Sequence, residues 1–205
     1  MEIFMRKYRV PLLETERLYL KKWSKKDAAD LFEYAKDPAV GPAAGWKPHA
    51  SPAESRMIIS ECFLQKMSWA IQDKESGKVI GSIGFEKDKF RPDILSRELG
   101  YSLSKQYWGR GLMTEAAKRL VAYAFEEIGV EVLSITTGES NLRSRRVIEK
   151  CGFTYEGTLR DSYKKYDGTI TELRCYSMLR EEYAAMKSAG ISNTDAAGSE
   201  AADER

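Results

Sequence analysis

The sequence predicts a mixed α/β (α+β) fold in which strands gather in consecutive runs. Short segments alternate apolar and polar residues with period two, and others carry apolar stripes at helical spacing. In chain order they read βααβββαβαββ, with three strands together in the middle and two at the end. The strict βαβαβ succession of a dinucleotide-binding sheet is absent.

Each element follows from local pattern. Residues 16–23 alternate, with Leu18 and Leu20 on one face and Arg17, Tyr19 and Lys21 on the other, a half-buried strand. Ser24 followed by Asp27 resembles a capping box, and Ala28, Leu31, Phe32 and Ala35 give the helix behind it one apolar stripe that Pro38 stops. Residues 39–50 are rich in Gly and Pro and form a loop carrying Trp46 and the sole histidine, His49. Ser51, Pro52 and Glu54 supply an N-cap, a first-turn proline and a first-turn acid, opening a helix expected to run to about Lys66. Strands over 69–73 and 78–85 flank a turn at Glu75, Ser76 and Gly77. Residues 87–93 are a polar loop, and 98–104 alternate with Leu99, Tyr101 and Leu103 on one face. After a turn-rich break, Met113, Ala117, Leu120, Ala124 and Ile128 mark a helix over 112–128 that Gly129 ends. A β-rich segment follows at 130–137, then a short helix at 141–151 closed by Gly152. Strands over 154–166 and 169–179 meet at Asp167 and Gly168, a hairpin signal.

Composition narrows the function. The chain has 205 residues with 33 Lys+Arg against 31 Asp+Glu, a formal net charge of +2. That excludes a strongly basic nucleic-acid binder and a polyacidic chain. No apolar run is long enough for a membrane span or a secretory signal, so a cytoplasmic protein is expected. Cys62, Cys151 and Cys175 lie far apart without a CxxC pair and read as buried or half-buried thiols, not as a metal site or disulfide frame. One domain is expected over residues 13–188, with a disordered acidic tail over 189–205.

The chemistry concentrates between the sixth and eighth elements. Gln106, Tyr107, Trp108, Gly109, Arg110 and Gly111 join a strand to a helix. Two glycines let consecutive N–H groups converge, and the next helix adds its free N-terminal donors and positive dipole end. Such a nest suits a diphosphate, with Arg110 as an added charge; the plain alternative is a tight strand-to-helix turn. A nicotinamide cofactor would require a third glycine, where Thr114 stands, and an acid ending the next strand, which Glu131 instead begins.

Three stretches in register lift the loop above that plain alternative: TERLYL at 15–20, ELGYSLSKQYWGRGLMTEA at 98–116 and NLRSRRVIEKCGF at 141–153. In them the chain resembles the GNAT superfamily of acyl-CoA-dependent N-acyltransferases, and within it the RimJ/RimL-type branch. The resemblance spans about residues 13–179 and implies a mostly antiparallel twisted sheet flanked by helices.

It also implies roles. Gln106, Trp108, Gly109, Arg110, Gly111 and Met113 fall where the family binds the CoA diphosphate. The backbone of Tyr101, Ser102 and Leu103 falls where the pantetheine arm pairs like an added strand. Asn141 would bond the pantetheine region, cap its helix, or both. Arg145, Arg146 and Lys150 are candidates for the CoA 3′-phosphate, or else an ordinary solvated basic face. Glu98 is implied as general base or amine-binding carboxylate, the alternative being a solvent-facing strand residue. A backbone N–H near Tyr101 or Ser102 would polarise the thioester carbonyl. The family's usual tyrosine acid is replaced by Ile148, and Ser144 becomes the candidate for protonating the leaving sulfur. A thiol of pKa about 8.5 leaves tolerably unaided. His49 could shuttle protons but is expected instead to border the acceptor site with Trp46 as an apolar wall, the favoured alternative for both being plain loop packing; Cys151 is expected to serve packing only.

The expected activity is therefore acetyl transfer from acetyl-CoA, without a metal, to a primary amine: a protein or peptide N-terminus or a small molecule. Direct attack, with no covalent enzyme intermediate, is the implied route. The alternative is a non-catalytic acyl-CoA-binding module on the same fold. A monomer or homodimer is expected, with no direct contact to nucleic acid or membrane.

Overall fold

The computed structural model describes residues 10–190. The expected acidic tail therefore lies outside the described residues from 191 onward, as does the charged N-terminal stretch 1–9. In order, the elements are β1 (Leu13–Glu14), β2 (Leu18–Lys22), α1 (Ala28–Ala35), α2 (Pro52–Glu61), β3 (Met67–Asp73), β4 (Val79–Glu86), β5 (Ser96–Leu103), α3 (Leu112–Tyr123), β6 (Val132–Gly138), α4 (Leu142–Lys150), β7 (Thr154–Lys164), β8 (Ile170–Leu179) and α5 (Arg180–Ser188). Among the described residues one eight-stranded sheet runs in the order β1-β2-β3-β4-β5-β6-β8-β7. Every pairing is antiparallel except β5 with β6, which the crossover helix α3 makes parallel.

Each face of the sheet has its own core. Alternation sends Leu18, Leu20, Trp69, Ile71, Ile83, Leu99, Leu133 and Ile135 into one cluster with Leu112, Ala116 and Leu120 of α3. Ala70 and Val79 join Leu31, Ala35 and Ile59 of α1 and α2 in the other. The expected caps form: Ser24 accepts from the Lys26 N–H while Asp27 accepts from the Ser24 N–H, and Ser51 accepts from the Glu54 N–H.

Four expectations needed correction. The short β1 and the C-terminal α5 went unseen. The second helix stops at Glu61, not near Lys66, because a 3-10 turn over Phe63–Gln65 carries Phe63 to stack on Trp23 with ring centroids 4.7 Å apart. The long helix after Gly111 keeps α geometry only to Tyr123. Its final turn widens into a π turn over Ala124–Ile128, where the Gly129 and Val130 N–H groups both bond the Ala124 carbonyl.

Candidate active site

The site begins where β5 and β6 part. They pair only over Ser96↔Val132, Arg97↔Leu133 and Glu98↔Ser134. Beyond Glu98, β5 stays with β4 as far as Gly81↔Leu103, while β6 stays with β8 as far as Gly138↔Leu173. The sheet opens there into a wedge, leaving the β5 edge presented by Leu99, Tyr101 and Leu103 without a strand partner, while Gly100 and Ser102 bond β4. A cavity of about 750 Å³ fills the wedge. Its lining gathers Glu98, Tyr101, Ser102, Leu103, Trp108, Gly109, Gly111, Met113, Asn141, Ser144, Arg146 and Lys150, residues chosen from three separate stretches of sequence.

The glycine loop closes one end. Gly109 and Gly111 have φ of 75° and 74°, left-handed values that a β-carbon would strain, and Gly111 leads into α3. Trp108 ties the loop down: its indole donates to the Leu103 carbonyl at 2.9 Å, and the Arg143 guanidinium sits 4.0 Å above its ring. Arg17 braces the loop from outside, donating to the Arg110 carbonyl at 3.0 Å and to Glu115 of α3 at 2.7 Å. Three expected residues are not in the lining. Gln106 lies exposed, and the Arg110 guanidinium turns outward over the Tyr107 ring, 5.2 Å from its centroid. Arg145 is also absent from the lining; it faces Glu139 at 4.0 Å.

Two pairs of side chains face the wedge from opposite sides of β5. Glu98 is half-buried and accepts a 2.7 Å hydrogen bond from Thr136 of β6. Burial lifts its carboxyl above the usual carboxylate range, against the opposing pull of the Thr136 hydroxyl. Among the described residues it has no ion-pair partner. On the other side the Tyr101 and Ser144 hydroxyls are 3.0 Å apart. Burial holds the Tyr101 phenol well above its ordinary pKa, so it stays protonated. Asn141 caps α4 by accepting from the Ser144 N–H at 3.1 Å, which fixes Ser144 against Tyr101. Burial pushes the Cys151 thiol up to about 12, which keeps it an uncharged packing group.

Thr136, the Tyr101 side chain and Tyr163 were not singled out from sequence. Tyr163 follows a register shift in β7 between Leu159 and Tyr163 and donates to the Gly45 carbonyl at 3.1 Å, closing the wedge from the last hairpin. No local pattern marks it, since its partner is 118 residues away.

Trp46 and His49 line a second cavity, of about 420 Å³, on the α1–α2 face of the sheet. It shares Ala44, Gly100, Tyr101 and Ser102 with the wedge. His49 Nδ1 lies 2.8 Å from the Ser55 hydroxyl. Burial lowers the imidazole's pKa, with Glu54 opposing, so the ring is neutral at pH 7.

Known proteins resemble this arrangement. Residues 17–154 match the family model described as the acetyltransferase (GNAT) domain. The uncharacterized N-acetyltransferase p20 of Bacillus licheniformis is 30% identical over 177 residues, covering 84% of this chain and 98% of the relative. The crystal structure of a GCN5-related N-acetyltransferase from Brucella melitensis matches with a TM-score of 0.76 at 24% identity, covering 89% of this chain and 85% of that one. The ribosomal-protein-S5-alanine acetyltransferase of Vibrio fischeri gives 0.67 at 20% identity, with 84% and 98% covered. At these identities the two solved structures bear on the fold alone.

Proposed function

The chain belongs to the GNAT acetyltransferase family and is an acyltransferase, and from that premise we propose that it moves the acetyl group of acetyl-CoA onto a primary amine by direct attack. The carrying observation is the wedge. An unpaired strand edge, a glycine nest, a half-buried carboxylate and a hydroxyl pair all border one cavity.

The residues fit such a cosubstrate. The free edge of β5 offers main-chain partners to the two amides of a pantetheine arm. The left-handed Gly109 and Gly111, with the first N–H groups of α3, suit a diphosphate. Arg146 and Lys150 line the cavity without a side-chain hydrogen-bond or ion-pair partner among the described residues, and are cations suited to the 3′-phosphate. Bound acetyl-CoA supplies an activated acyl carbon.

Glu98, with its raised pKa, takes the proton that the amine nitrogen sheds as nitrogen–carbon bonding replaces the carbon–sulfur bond. The Ser144–Tyr101 pair gives a proton or hydrogen bond to the departing thiolate, so one proton leaves nitrogen and one reaches sulfur. Neither step uses Cys151.

Thiol release from acetyl-CoA, with amine acceptors and beside Glu98→Gln, tests the reading. The variant is expected to lose activity by about 10²–10⁴-fold while calorimetry finds its acetyl-CoA affinity within about twofold of wild type. Acetyl-CoA binding without turnover in the wild type, with every acceptor class, would favour the binding-module alternative.

A further inference from the structure

Between α1 and α2 the chain forms a strap over residues 36–48 whose two ends are tied together. The His49 N–H donates to the carbonyl of Ala35, the last residue of α1, at 3.1 Å. Inside the strap the Trp46 N–H bonds the Gly41 carbonyl at 3.0 Å, and a β-carbon on Gly41 would run into the Trp46 ring. The Trp46 and His49 rings lie 5.2 Å apart, and His49 is held in turn by the Ser55 hydroxyl of α2. Such a loop is compact because its own side chains fill it.

The tip of the strap crosses the wedge. α1 packs on β3 and β4, against Ala70 and Val79, in the half of the sheet that ends at β5. The tip is held from the other half. Tyr163 of β7 donates to the Gly45 carbonyl at 3.1 Å, and the Asn141 amide at the head of α4 approaches the Ala43 carbonyl at 3.5 Å. Both contacts lie at the open end of the wedge: Asn141 follows β6, and Tyr163 pairs with Thr171, beyond the last β6–β8 pair at Gly138↔Leu173. Pro42, Ala43, Ala44, Gly45 and Tyr163 all line the cavity.

The backbone departs from regular geometry on both sides of that contact. In β7, Arg160, Asp161 and Ser162 stand opposite Glu172 alone, and the bulge aims Tyr163 at the strap. Asp161 has φ of 49°, the one left-handed residue other than glycine among the described residues. On the receiving side Gly45 has φ of 89°, and a β-carbon there would collide with the Tyr163 hydroxyl.

We propose that Tyr163 is a positioning residue whose hydroxyl latches the 42–45 tip across the wedge and keeps solvent water from the acyl carbon seated there. With the latch released, a water oxygen bonds the acyl carbon as the carbon–sulfur bond breaks. One water proton ends on the thiol and the other on acetic acid, which ionises to acetate. The inference rests on the acetyl-transfer reading for the acyl group, but not for the latch itself.

The test uses the full chain with acetyl-CoA and no amine. Tyr163→Phe and Gly45→Ala are each expected to raise thiol release about fivefold, the shift that one neutral hydrogen bond gives an equilibrium. Calorimetry should find acetyl-CoA affinity within about twofold of wild type, because the latch bonds the strap and not the cosubstrate. The double variant should release thiol about as fast as the faster single one, since both changes remove the same bond. Amide exchange at Ala44 and Trp46, whose N–H groups are bonded within the strap, should quicken in Tyr163→Phe while the melting temperature holds. Thiol release unmoved in Tyr163→Phe would overturn the proposal, and so would weakened acetyl-CoA affinity that makes Tyr163 a cosubstrate contact. Should wild type bind no acetyl-CoA, the transfer reading falls and strap exchange decides the latch: quickened exchange keeps it, unchanged exchange ends it.

Discussion

Glu98 is set apart by two opposing influences. Burial disfavours its charge, while the Thr136 hydroxyl favours it. A carboxyl whose folded pKa is raised stabilises the fold below its unfolded pKa, and that contribution is lost as pH rises through the folded value. At neutral pH the ionised Glu98 is therefore a burden on the fold. Glu98→Gln should keep or raise stability, by no more than about 1 kcal/mol, while cutting turnover by about 10²–10⁴-fold. The wild-type rate should show an acid limb above the ordinary carboxylate range, missing in the residual rate of the variant. Ser144→Ala and Tyr101→Phe should each cost less than Glu98→Gln, about tenfold or under, because a thiolate departs readily on its own. A loss from Ser144→Ala as deep as that from Glu98→Gln would make protonation of sulfur the limiting demand. The face Glu98 occupies was legible from strand alternation, opposite Leu99 and Tyr101, while its proposed role comes from the resemblance. The Tyr101 hydroxyl was not, because its partner sits 43 residues further on in the helix α4.

At the scale of elements, the site depends on how β2, the glycine loop and α3 are pinned together. Arg17 does this, with bonds to the Arg110 carbonyl and the Glu115 carboxylate, while Thr15 also donates to Glu115. Burial would raise the Glu115 carboxyl, but the Thr15 and Arg17 hydrogen bonds outweigh it and hold it below the usual range. Its stabilising contribution is present above the unfolded pKa and fades as pH falls through the folded one. Arg17→Ala should raise the KM for acetyl-CoA about tenfold with kcat little changed, and lower stability by about 1–2 kcal/mol, most of it lost from the neutral side of the profile. An unchanged KM would mean that the loop holds its shape without the brace. The elements that sequence left unseen share a physical cause. β1 is two residues long, too short to show alternation. The α5 helix buries no residue fully; it is held by Tyr183 stacked on Phe125 at 4.8 Å and by Glu182 accepting from the Leu179 N–H. Only tertiary packing reveals such a helix.

Across the whole molecule, the parting of β5 and β6 leaves the sheet in two halves joined by three residue pairs. No sequence pattern announced that break, since both strands alternate normally and each keeps its other neighbour. The motifs marked residues that line the wedge; only the register located the gap between the strands. A cosubstrate bound along β5 would span the halves and favour the folded state over the unfolded one, by about 2.7 kcal/mol at a concentration of 100 Kd. Among the described residues no helix is long and apolar enough to cross a membrane. The most direct test is amide hydrogen exchange with and without saturating acetyl-CoA. Slowed exchange concentrated at Leu99, Tyr101 and Leu103, whose N–H groups face the gap, and around Gly109, Gly111 and Met113, with the outer strand β7 unchanged at its exposed edge, is the expected result. Binding that leaves the exchange of β5 and the glycine loop untouched would contradict a cosubstrate seated in the wedge.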